Sequence, residues 1–102
     1  MKPNSNNTLW YVYMVRCNDQ SLYTGVTTDL QRRLREHNAG GTVGAKYTRS
    51  RRPVRLVYRE EHPTRSAACK REYEIKHFNT RKKAALLQPR NEDRLFPAIH
   101  WK

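Results

Sequence analysis

The run Leu9-Trp10-Tyr11-Val12-Tyr13-Met14-Val15-Arg16 constrains this chain more than any other segment. It mixes β-branched, aromatic and apolar residues, as expected of a strand covered on both faces. Turn chemistry follows in Cys17-Asn18-Asp19-Gln20-Ser21, and Leu22-Tyr23-Thr24-Gly25-Val26-Thr27 returns as a second strand, so the pair predicts a β-hairpin. Gly25 marks either a bulge or turn, or a place where another group approaches the backbone closely. The apolar stretch from Leu9 to Val15 is far short of the roughly 20 residues that a membrane-spanning helix needs.

Downstream, Thr27 or Thr28 is placed to cap a helix that begins at Asp29 and ends near Asn38, ahead of Ala39-Gly40-Gly41. Leu30, Leu34 and His37 share one face of it, with Arg33 alongside. From there to Arg52 no apolar period is present, and Gly44, Ser50 and Pro53 punctuate what reads as a loop. Val54 to Tyr58 is a third strand. Thr64 or Ser66 caps a second helix running to about Phe78, and Thr80 opens a third from Arg81 to about Gln88. The expected fold is therefore α+β, a small three-stranded antiparallel sheet (a hairpin plus a third strand) flanked by three helices. A polar N-terminal tail (1–8) precedes one domain (9–88), and a C-terminal tail (89–102) follows, in which Phe96, Ile99 and Trp101 either dock on the core or stay mobile. The 102 residues are the size of one small domain, and ten aromatic side chains offset a hydrophobic content of only 36%.

Charge narrows the partner. Lys and Arg total 21 against nine acids, a net charge of +12, which draws a chain toward polyanions. Between His37 and Arg59 there is no acid, while Lys46, Arg49, Arg51, Arg52, Arg55 and Arg59 all fall there with Tyr47 and Tyr58 interleaved. A charge run is ordinarily a solvated face, but six uncompensated cations repel one another unless a polyanion relieves them. Six phosphate contacts would give a slope of about −5 in log affinity against log salt. No helix combines a wide apolar face with a basic one, so nucleic acid is preferred and a membrane is not expected. The N-terminus lacks the apolar stretch of a secretory signal, and Cys17 and Cys69 have neither CxxC nor metal-cluster spacing. Reduced thiols in a cytoplasm are the expectation.

The second helix holds an anomaly. An apolar stripe through Ala68 and Ile75 passes over Glu72, which lies about 40° from the first and 60° from the second at 100° per residue. A carboxylate aimed at a sheet needs a cation. Lys76, Arg33 or a hard divalent metal held beside a phosphate each meet that need.

Taken in order, these residues resemble the GIY-YIG nuclease superfamily. Tyr11-Val12-Tyr13 and, ten residues on, Tyr23-Thr24-Gly25 resemble its paired GIY and YIG signatures, with Tyr11 in place of Gly and Thr24 in place of Ile. Arg33 falls at the position of the family's catalytic arginine, His37 where related enzymes carry His or Tyr, and Glu72 matches the metal-binding glutamate. The segment Gly44-Ala45-Lys46-Tyr47-Thr48-Arg49 with Pro53 and Leu56-Val57-Tyr58 is similar to the small stand-alone bacterial members called YhbQ-like.

The resemblance implies a metal-dependent endonuclease acting on nucleic acid, DNA in preference to RNA, with structure-selective cutting in repair or recombination. Its catalytic set would be Tyr13, Tyr23, Arg33, His37 and Glu72. Glu72 would hold a single Mg²⁺ or Mn²⁺ ion, and Arg33 would meet charge on the phosphate. Tyr13 is the expected general base or water-positioning group, with Tyr23 beside it and His37 taking or relaying the proton. A free phenol with pKa about 10 needs neighbouring cations to serve as a base. Lys46, Tyr47, Arg49, Arg51, Arg52, Arg55 and Lys76 would contact nucleic acid, with Lys76 alternatively orienting Glu72. At this length a separate DNA-selecting domain is not expected, so a protein partner would supply targeting, or the shape of the nucleic acid would. Two alternatives remain: an accessory binding module of the same fold without catalysis, and a structural basic protein.

Overall fold

A computed structural model describes residues 8–87 of the chain. The tails, including Phe96, Ile99 and Trp101, lie outside the described residues. Strand β1 (Trp10–Arg16) is central, flanked by β2 (Leu22–Thr27) and β3 (Arg55–His62), and all pairings are antiparallel. Four helices complete the described residues: α1 (Leu30–Ala39), α2 (Lys46–Arg49), α3 (Arg65–Lys76) and α4 (Thr80–Leu86).

The central strand is covered on both sides, which explains its unbroken apolar character. Tyr13, Val15 and Cys17 pack with Val54, Leu56 and the α1 leucines Leu30 and Leu34. Val12 and Met14 pack with Ala68 and Ile75 of α3, and Val26, Phe78 and Leu86 close that second cluster. Burying an Ile75- or Met14-sized side chain stabilises the fold by about 1.5–3 kcal/mol. Between the pairs Met14 with Tyr58 and Val15 with Leu56 the register shifts. The extra residue, Val57, lets β3 send Leu56 to one cluster and both Val57 and Tyr58 to the other.

Several boundaries differ from expectation for local reasons. Asp29 is itself the cap of α1, its carboxylate accepting from Arg32 N at 3.0 Å, while Thr27 Oγ1 accepts from Asp29 N. Asn79 rather than Thr80 caps α4, and Thr64 caps α3. The stretch read as an unbroken loop contains α2, and β3 continues four residues past Tyr58. Both extensions depend on tertiary partners that local periodicity does not reveal. No helix among the described residues is long and apolar enough to cross a membrane.

Candidate active site

The site is built on the cross-strand pair of Tyr13 and Gly25. The Tyr13 ring lies against the glycine so closely that a Cβ there would sit 2.5 Å from the phenolic oxygen. Gly25 is thus neither a bulge nor a turn in this ladder: it is a close approach, and the approaching group is Tyr13. That placement aims the hydroxyl at the last turn of α1, where His37 Nε2 is 2.8 Å away. His37 is fully buried, and its Nδ1 lies 2.9 Å from Thr48 Oγ1 on α2.

Burial sets the protonation of this pair. Desolvation, aided by the nearby Arg33 charge, pulls the His37 pKa down to about 4. Desolvation also pushes Tyr13 up to about 12, against the opposing influence of a hydrogen bond from Arg33, while Tyr23 and Glu72 push in the same direction as burial. At neutral pH the phenol is protonated and the imidazole is neutral, so the imidazole tautomer decides whether Tyr13 O–H donates to His37 Nε2 or accepts from it. Of the four other expected catalytic residues, His37 touches the Tyr13 hydroxyl, and Tyr23, Arg33 and Glu72 are close enough to influence its proton.

Tyr23 stands edge-on to His37 with ring centroids 5.3 Å apart, and Tyr47 stacks on it at 5.9 Å. Arg33 Nη1 donates to Glu36 Oε1 at 2.7 Å and to the Val43 carbonyl at 2.8 Å. Burial opposes its charge, but the bonds to Glu36 and Tyr13 outweigh that and raise its pKa. Glu72 is half-buried and pairs with Lys76 at 3.0 Å, and the Lys76 ammonium is 5.9 Å from the Tyr23 ring centre. The cation the carboxylate needed is thus supplied, within the chain, by Lys76.

The basic run does not act as one surface. Arg51 bridges to Asp19 at 3.0 Å, donates to the Tyr47 carbonyl and lies 4.0 Å over the Tyr47 ring. Arg52 donates to the carbonyls of Arg49, Asn38 and Ala39. The expectation that all six cations are uncompensated is corrected: Arg51 and Arg52 bond within the chain and Arg59 lies 5.9 Å from the Tyr11 ring centre, so the anticipated salt slope is shallower than about −5. Arg55 is exposed at the far end of the β1–β3 ladder opposite Arg16, while Lys46 and Arg49 are exposed on α2. Thr48 and Glu36 were not anticipated as site residues. Glu36 precedes His37 on the helix and follows Arg33 by three, a spacing that signals an ion pair. Thr48 gave no signal of its own, because a buried threonine in an aperiodic stretch looks like any loop residue.

Among the described residues no group of three or more His, Cys, Asp or Glu side chains is arranged to hold a metal ion. A single carboxylate does fit a hard ion that keeps water and phosphate oxygens as its other ligands, as Mg²⁺ prefers.

An antiparallel hairpin that presents two tyrosines toward an arginine and a histidine on the following helix, with a glutamate from a later one, defines a nuclease-type domain. The model of the GIY-YIG catalytic domain matches residues 9–85, and the chain belongs to that family. Within it, the chain is 58% identical over 82 residues to a UPF0213 protein of Haloquadratum walsbyi, covering 80% of this chain and 90% of that one. It is 47% identical over 100 residues to a UPF0213 protein of Desulfotalea psychrophila, covering 98% and 88%. The solution NMR structure of a UPF0213 protein from Bacillus halodurans is similar at 41% identity and a TM-score of 0.53, covering 88% of this chain and 97% of that one.

Proposed function

We propose that this chain is a metal-dependent endonuclease that hydrolyses phosphodiester bonds in DNA of particular shape, in repair or recombination in the cytoplasm. The observation that carries this is the buried contact of the Tyr13 hydroxyl with His37 Nε2 at 2.8 Å, beside the Tyr23 ring and close enough to Arg33 and Glu72 for both to bias its proton. Glu72 would hold one Mg²⁺ or Mn²⁺ ion, which supplies Lewis-acid charge at the scissile phosphate and the departing oxygen. Tyr13 positions the attacking water and takes its proton as its own moves to His37 Nε2. In the free protein, pKa values of about 12 and about 4 keep that proton on Tyr13. Positive charge near the oxygen narrows the gap, and Arg33 already works in that direction. The guanidinium has five N–H donors; with Nη1 held by Glu36 and Val43, the others serve Tyr13 and an incoming phosphate oxygen. Lys46, Arg49, Arg55 and Lys76 would contact the backbone.

The test uses flapped, branched and linear DNA with Mg²⁺ or Mn²⁺. Wild-type protein is expected to cut shaped DNA at least about 100-fold faster than an Arg33→Ala, Glu72→Ala double variant. Cutting no faster than that variant contradicts the proposal. One observation favours a second function, a non-catalytic binding module: the ion pair of Glu72 with Lys76 already neutralises the carboxylate. Salt-sensitive DNA binding indifferent to Glu72→Ala, with no metal-dependent cutting, would establish that module instead.

A further inference from the structure

We propose that Thr48 is a positioning residue that fixes His37 in its Nδ1–H tautomer, so that the Nε2 lone pair faces the Tyr13 hydroxyl. The inference takes its chemistry from the nuclease function above, but its geometry stands on its own. Thr48 is fully buried, as is His37, so neither hydroxyl nor ring has bulk water as an alternative partner. Thr48 Oγ1 lies 3.1 Å from the Ala45 carbonyl and 2.9 Å from His37 Nδ1. A hydroxyl has one proton and a carbonyl can only accept. With that proton on the Ala45 bond, Thr48 Oγ1 must accept from His37, which places the imidazole proton on Nδ1. The other end of the ring is compatible: the Tyr13 hydroxyl lies 2.8 Å from Nε2, and a phenol O–H donates to a ring nitrogen that carries a lone pair. The sequence of donors is Tyr13 O–H to His37 Nε2, His37 Nδ1–H to Thr48 Oγ1, and Thr48 O–H to Ala45 C=O. In the opposite tautomer an N–H would face the phenol, and Tyr13 would lose the acceptor for its proton.

The surroundings of α2 hold Thr48 in this place. Gly44 packs against α1, where a Cβ would come within 3.1 Å of the Glu36 carbonyl. Arg51 ties the Tyr47 carbonyl to Asp19 of the hairpin turn, and Arg52 ties the Arg49 carbonyl to those of Asn38 and Ala39 at the end of α1. Two arginines of the basic run thus clamp a four-residue helix that could not persist alone. The second nitrogen's hydrogen bond is the general means by which a protein selects a histidine tautomer.

The test is the tautomer itself, read from ¹⁵N shifts and long-range ¹H–¹⁵N couplings of the His37 ring in wild type, Thr48→Ser and Thr48→Val. Wild type and Thr48→Ser are expected to show protonated Nδ1 and unprotonated Nε2. Thr48→Val, with its hydroxyl gone and its shape kept, is expected to shift population to the Nε2–H form. An Nε2–H ring in wild type, which needs no variant to fold, overturns the proposal, as does an unchanged ring in a folded Thr48→Val protein. On DNA that the wild type cuts, Thr48→Val should lose about 100-fold in kcat with KM within about twofold, and Thr48→Ser should restore it. Wild-type kcat in the Val variant overturns the positioning role. A wild type that cuts nothing overturns the nuclease function alone, and the ring spectrum still decides the tautomer.

Discussion

Tyr13 and Tyr58 serve opposite faces of one sheet, and each donates its hydroxyl to a side chain, yet the two environments differ in kind. On the α1 side Tyr13 meets a neutral imidazole, and the hydrogen bonds continue through neutral groups to a carbonyl. On the α3 side Tyr58 bonds to the Glu60 carboxylate, which also accepts from His62 at 3.0 Å and from Arg71 at 3.0 Å; Arg71 in turn reaches Glu74 at 3.2 Å. Burial pushes the Glu60 carboxyl up, but the bonds from Arg71, Tyr58 and His62 outweigh it and hold its pKa below the ordinary value. Burial and the same carboxylate push Tyr58 up. A charge so fully partnered has nothing left to offer a substrate. The Tyr13 hydroxyl is different: its proton has an acceptor already aligned, and Arg33 and Glu72 bias it from beyond the core. On the proposed function, one buried polar group stabilises while the other is the one that would move a proton.

Three perturbations sharpen that contrast. Glu60→Ala strands Arg71 and Tyr58 and should destabilise the fold by about 3 kcal/mol, the lower end for breaking a buried pair because Glu60 retains some exposure. Urea unfolding measures this, and the His37 ring signals should be unmoved. Gly25→Ala should cost about 2–3 kcal/mol, since the new methyl forces the Tyr13 ring aside; here loss of the Tyr13 bond is the diagnostic, seen as a shift of His37 Nε2.

The third perturbation is pH. His37 has a folded pKa of about 4 against 6.5 when exposed, so the unfolded chain binds the extra proton between those values. That contribution is complete above about pH 6.5 and is lost as pH falls toward 4, giving about 2 kcal/mol less stability at pH 5 than at pH 7.5. Urea titrations at the two pH values check it, and a His37→Gln variant should flatten the dependence. Glu60 adds its own loss only below its ordinary value of 4.5.

Sequence patterning revealed what depends on neighbours along the chain. The hairpin was legible because Leu9 to Arg16 is apolar toward both faces, and Glu72 was legible because it interrupts a stripe through Ala68 and Ile75. Arg33 and His37 took their meaning from spacing to the two tyrosine motifs. What stayed hidden depends on groups far apart in sequence. The charged half of β3 is stabilised by Arg71, 11 residues beyond Glu60, and helix α2 by Arg51 and Arg52 reaching the hairpin turn and α1. The basic run looked like a surface for phosphates, because sequence alone cannot tell an arginine that meets solvent from one that meets carbonyls.

The most direct measurement removes one oxygen from each face. Tyr13→Phe and Tyr58→Phe should both fold, and both should bind branched DNA as the wild type does. With Mg²⁺ or Mn²⁺, Tyr13→Phe is predicted to cut at least about 100-fold more slowly than wild type and Tyr58→Phe within about twofold of it. Equal cutting by the two variants, or wild-type cutting by Tyr13→Phe, would contradict the claim that the Tyr13 hydroxyl is chemical and the Tyr58 hydroxyl structural.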